Sequence, residues 1–135
     1  ESIPAGLAAL VAYDGARGAG ENAAEMAAAA AAVATGEVTR ASRDVDLNGL
    51  AIRRGDWLGL ADGEPVAGGD DFVEVAFELI AQLVAERRTL LTLLTGAEPP
   101  PLHGLVERLA SAHPELEVEV HEGGQPHYPL LLGAE

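Results

Sequence analysis

The stretch from Leu116 to Glu135 constrains the fold more than any other part of this chain. Leu116, Val118 and Val120 alternate with Glu117 and Glu119, the period of a strand with one face in water. His121 and Glu122 then lead into Gly123, Gly124, Gln125, Pro126, His127 and Tyr128, a cluster of turn-forming residues. The apolar run that follows, through Leu132, reads as a buried strand ending the chain. So short a link favours an antiparallel final pairing. A buried terminal strand reached through such a loop makes the loop a candidate functional surface.

The preceding residues supply the rest of a layered domain. Thr89 to Leu94 is too short for a helix and reads as a buried strand. Pro99 to Pro101 introduce a helix with core face Leu102, Leu105, Val106 and Leu109, which stops before Pro114. This strand–helix–strand unit is expected to be parallel and right-handed. Asp70 and Asp71 cap the clearest helix. There Phe72, Val73, Ala76, Phe77, Ile80, Leu83 and Val84 recur at helical spacing, while Glu74, Glu78, Gln82 and Glu86 take other faces. Trp57 to Ala61, the turn Asp62-Gly63 and Pro65-Val66 form a hairpin pattern.

Nearer the start, Ser2 to Gly6 opens a helix with Pro4 in the first turn, where its missing N–H is harmless. Gly15 to Gly20 reads as a loop, and Glu21 to Thr35 as an alanine-rich helix closed by Gly36 at C′. Glu37 to Arg43 has strand character, Asp44 to Gly49 is a turn cluster, and Leu50 to Ile52 is a short strand. The sum is an α/β domain with a mixed sheet and packed helices, a single domain over residues 1–135. Opening at a helix start with no strand before it is unusual for this class. It is expected of a partial domain, cut from a longer multi-domain protein.

Charge narrows the function classes. The net charge of −14 repels phosphate backbones and anionic lipid headgroups, which sets nucleic-acid binding and membrane insertion aside. Every cationic side chain is arginine, so neither Schiff-base chemistry nor a Walker lysine is open to this chain. Zero cysteines exclude disulfides and thiolate metal sites. No apolar run approaches roughly 18 residues, so a soluble, cytoplasmic protein is expected.

Few residues form a chemical constellation. Gly15 to Gly20 lacks the lysine and the preceding strand of a phosphate loop. His121, His127 and Glu122 match no familiar metal-ligand spacing, and the aspartates sit where turns and helix starts call for them. Ser2, Ser42 and Ser111 lie in no nucleophile elbow. Two features remain. The helix start at Ser2 to Gly6 offers free N–H groups to an anion or carboxylate. The loop offers Gly123, Gly124, Gln125, His127 and Tyr128, with His121 at the strand end. Candidate ligand- or partner-binding residues are therefore Ser2, Gly6, His121, Gly123, Gly124, Gln125, His127 and Tyr128. No catalytic or metal-ligating residue is assigned.

Taken in order, several segments resemble the C-terminal domain of the fatty acid kinase A-type family, the DhaL-domain or dihydroxyacetone-kinase-like proteins. They are Ser2 to Leu10, Asn22 with Met26, Gly36 to Thr39 with Arg43-Asp44, and Gly49-Leu50. Gly55-Asp56, Gly59-Leu60, Asp62-Gly63, Leu91 to Gly96, Glu117 to His121 and Gly123 to Pro129 continue the series over essentially the whole chain. The resemblance implies a fold of the DegV and dihydroxyacetone kinase type, of which this chain is the later part. It also implies a parent whose separate DhaL domain binds ATP and magnesium, with no cofactor in this chain. The implied partner is a DegV-like fatty-acid-binding protein, whose acyl carboxylate the parent phosphorylates. The expected role here is non-catalytic docking of that protein; the alternatives are an acyl- or phosphate-binding domain and a module for self-association.

Overall fold

A computed structural model of the chain describes residues 2–47, 49–85 and 87–135. Asn48, inside the turn expected at 44–49, and Glu86, expected on the outer side of the capped helix, lie outside the described residues. The elements run α1 (Ile3–Val11), α2 (Ala19–Ala32), β1 (Ala34–Arg40), β2 (Val45–Leu47), β3 (Leu50–Ile52), β4 (Trp57–Ala61), β5 (Glu64–Gly69) and α3 (Phe72–Leu83). They continue with β6 (Leu90–Thr95), α4 (His103–Ala112), β7 (Glu117–Glu122) and β8 (Leu130–Ala134). Six strands form one mixed sheet in the order β5-β4-β1-β8-β6-β7, and β2 pairs with β3 apart from it. The α/β class with a mixed sheet and packed helices is as the sequence indicates.

The final strand lies deep inside this order. β8 is antiparallel to β1 on one side and to β6 on the other, while β7 runs parallel to β6 at the edge, so the antiparallel pairing expected across the short link from β7 is made with β6 and not with β7 itself. All of Leu130 to Ala134 are buried. An apolar strand in the interior satisfies its backbone on both sides. The glutamate-bearing β7 suits an edge, where charge discourages further strand pairing.

One sheet face carries the core. Val38 of β1, Trp57 of β4, Leu91 and Leu93 of β6, and Leu130 and Leu132 of β8 all pack into it. Against them α3 buries Phe72, Val75, Ala76, Leu79, Ile80 and Leu83, and α4 buries Leu105 and Leu109. Each fully buried Leu, Ile or Phe contributes about 1.5–3 kcal/mol. Val75 and Leu79 join the expected set, while Val73 and Phe77 lie at its margin. Asp71 caps α3 by accepting the Glu74 N–H at 3.1 Å. Arg108 ties α4 to α3 through Glu74 at 2.6 Å and lies 4.1 Å over the Phe77 ring. The Glu74 hydrogen bond holds its guanidinium above the ordinary arginine value.

Two local expectations are corrected. The alanine helix stops at Ala32, and Thr35 and Gly36 belong to β1 instead of closing a helix. β1 gains a ladder against β8 from Ala34 onward, and that pairing outweighs local helix propensity. Gly36 serves close packing: a Cβ there would lie 2.8 Å from Leu83 Cδ1. Within the expected turn at 44–49, Val45 to Leu47 form β2, paired with β3. Ile52 of that hairpin is fully buried, and a Cβ on Gly68 of β5 would lie 2.6 Å from its Cγ1.

Candidate functional site

The other sheet face is only partly covered. α1 crosses it over β8 and β1, and α2 packs on α1. Gly133 makes this seat possible, since a Cβ there would lie 3.0 Å from Pro4 Cβ and 3.3 Å from Val33 Cγ1. Asn22, buried in α2, locks the connection. Its Oδ1 accepts the Asp14 N–H at 3.0 Å, and its Nδ2 donates to the Asp14 and Arg17 carbonyls at 2.8 and 3.4 Å.

The outer side of α1 is apolar and bare. Ile3, Leu7, Leu10 and Val11 recur at helical spacing, yet stand 54%, 43%, 65% and 86% exposed. Helical apolar spacing ordinarily marks the face that is covered. Large exposed apolar side chains grouped on one helix face are uncommon on the free surface of a soluble domain.

A hollow lies on each side of α1. One, of about 430 Å³, is lined by Ser2, Ile3, Thr35, Glu37, Leu60, Asp62 and Tyr128, with Leu131 at its base. Asp62 sits in the β4–β5 turn with φ 48°, and its Oδ1 accepts from the Thr35 N–H and Oγ1 at 3.1 and 3.0 Å. The other, of about 600 Å³, lies over β6 and β7. Its walls are Leu7, Ala8 and Val11 of α1, with Ala29 of α2; Leu90, Thr92 and Leu94 form its floor, and Glu119, His121 and Glu135 its rim. His121 Nε2 meets Glu119 Oε2 at 3.2 Å.

The sequence-indicated residues thus divide between two places. Ser2 and Tyr128 meet in the smaller hollow, and His121 lies in the larger one. Gly6 faces open space on α1. The Gly123 and Gly124 N–H groups both donate to the Thr95 carbonyl, at 2.9 and 3.0 Å, which anchors the loop to β6. Gln125 turns inward: its Nε2 donates to the Leu94 and Tyr128 carbonyls at 3.0 and 3.1 Å. His127 is exposed. Among the described residues no group of three or more His, Cys, Asp or Glu is placed to hold a metal ion. None of their helices is long and apolar enough to cross a membrane.

The residues that sequence reading passed over are Leu7, Leu10 and Val11. Their spacing was a usable signal, but spacing alone reads as core, and only the tertiary arrangement shows it uncovered. Gly133 gave no local signal.

Comparison with known proteins gives the family of the chain. The whole chain, residues 1–135, matches the FakA-like C-terminal family, that of fatty acid kinase A-like C-terminal domains. It is 36% identical over 136 residues to an uncharacterized protein of Staphylococcus haemolyticus strain JCSC1435, covering 99% of this chain and 25% of that protein. It is 34% identical over 137 residues to an uncharacterized protein of Staphylococcus aureus strain USA300, covering 100% of this chain and 25% of the relative. The chain therefore spans about a quarter of the length of these curated relatives. It belongs to the FakA-like C-terminal family of fatty acid kinase A-like proteins.

Proposed function

We propose that this chain is the non-catalytic C-terminal domain of a fatty acid kinase A-type protein. It helps dock the acyl-carrying, DegV-like protein, so that a separate DhaL domain phosphorylates the fatty acid carboxylate with ATP and magnesium. The observation that carries this reading is the bare apolar face of α1 beside the acidic strand β7, in a chain of net charge −14. Apolar surface supplies affinity once water is excluded, and the carboxylates speed encounter with a basic partner.

Binding of a free anion at the start of α1 is less well supported. Glu37 and Asp62 line the adjoining hollow, and no arginine does among the described residues. Two carboxylates there oppose the helix-terminal partial charge that would attract a phosphate or carboxylate. Self-association through α1 would bring two strongly acidic chains together.

The test is calorimetric titration of the chain with the DegV-like protein of the same organism. Saturable binding is expected, weakening as salt is raised. Reversing Glu117, Glu119 and Glu122 to lysine should lower affinity by about tenfold or more and flatten the salt dependence. Wild-type chain that is folded yet does not bind would refute the docking role.

A further inference from the structure

We infer that the groove between α1 and the β6–β7 face receives a basic amphipathic helix of the docked partner. This rests on the docking reading and specifies the chemistry of the element that docks. Three observations converge on it. The opposite sheet face is covered by α3 and α4. Here α1 sits over β8 and β1 and, among the described residues, leaves β6 and β7 without a helix packed squarely on them. Four of the five pairings in this sheet are antiparallel, so a bare face is permitted, and the open half-layer beside α1 is room for a helix and not a demand for one.

The groove also has the dimensions and lining such a helix requires. Its volume is about 600 Å³, and Leu90, Thr92 and Leu94 form a row along its floor. At strand spacing that row is about 13 Å long, roughly two and a half turns of helix at about 5.4 Å each. Leu7 and Val11 form the wall and extend the apolar surface up the flank of α1. A helix with apolar residues at i, i+3, i+4 and i+7 lays such a stripe into a groove of this kind.

The rim fixes the sign of the charge. Glu119 and Glu135 border the groove together with His121, which meets Glu119; Glu117 shares the β7 face, and no arginine lines the groove among the described residues. An occupant with acidic flanks would meet like charge, so the flanking residues are arginine or lysine. A second copy of this chain brings its own carboxylates and fails the same criterion.

Two titrations test the inference. The first measures binding of the DegV-like protein to wild-type chain, Val11→Glu and Glu119→Arg; the exposure of both side chains allows these variants to fold, which a thermal melt verifies. Each variant should lower affinity by about tenfold or more. Undiminished binding by both variants overturns the groove as the docking element and leaves docking itself standing. The second uses a synthetic helix of about 18 residues with leucine at i, i+3, i+4 and i+7 and arginine elsewhere, beside a version with glutamate for arginine. Binding of the arginine peptide at least about tenfold tighter than the glutamate one, abolished by Val11→Glu, supports the groove as a seat for a basic amphipathic helix; if the DegV-like protein itself fails to bind, that chemistry stands and the assignment of the helix to that partner falls. Equal binding, no binding, or binding insensitive to Val11→Glu overturns it. Dimerisation of the wild-type chain that Val11→Glu dissolves would assign the groove to a second copy, and likewise overturns it.

Discussion

Asn22 and Gly96 show how single side chains, or their absence, hold the elements that frame the two hollows. Asn22→Ala removes three hydrogen bonds at a buried position and strands the Asp14 N–H and the carbonyls it served. The expected cost is about 1–3 kcal/mol. Chemical denaturation followed by the fluorescence of Trp57, the one tryptophan, would measure it. Gly96 lies where β6 meets the 123–129 loop. A Cβ there would stand 2.5 Å from the Tyr128 carbonyl oxygen and 2.9 Å from that of Gln125, backbone atoms that cannot rotate aside. At Gly36 the nearest atoms are instead Leu83, Leu132 and Leu79 methyl groups. Overpacking costs about 1–3 kcal/mol in general. Gly96→Ala should therefore destabilise more than Gly36→Ala, and equal midpoints in the same denaturation series would show that the loop yields as readily as the core.

At the scale of elements, α3 and α1 behave oppositely. α3 has a cap, a broad apolar face and a sheet to receive it. Asp71→Ala should cost about 1 kcal/mol through the lost cap, and Leu79→Ala about 2–5 kcal/mol through a cavity beneath the helix. α1 also has apolar spacing, but its seat over Gly133 buries Pro4 and leaves the stripe at Ile3, Leu7, Leu10 and Val11 in water. Val11→Ser should accordingly leave stability within about 0.5 kcal/mol of wild type, the ordinary range for surface changes. A larger loss in thermal or chemical unfolding would mean that Val11 is covered in solution, as in a dimer. The two helices differ in what the chain supplies opposite them, a property no helix carries in its own sequence.

For the molecule as a whole, one sheet face is closed and the other half open, with carboxylates along the open margin. That asymmetry is what the docking proposal uses. The α/β class, the β4–β5 hairpin, the α3 cap, the β6–α4–β7 parallel unit and the buried terminal strand were legible in residues 1–135, because each rests on local periodicity, turn chemistry or capping. Candidate residues on the 123–128 loop were legible as a cluster, since glycine and proline mark turns wherever they fall. Three things were not. The insertion of β8 between β1 and β6 depends on partners distant in sequence, and the transfer of Thr35 and Gly36 from helix to strand depends on that same ladder. The inward turn of Gln125 depends on carbonyls of Leu94 and Tyr128 that the fold brings together. The sequence by itself determined most of the helices and strands, apart from the end of α2 and the strand β2, and which sign of charge surrounds them. Only the tertiary structure decided which apolar stripe is core and which is left bare, because burial belongs to the opposing surface and not to the segment alone.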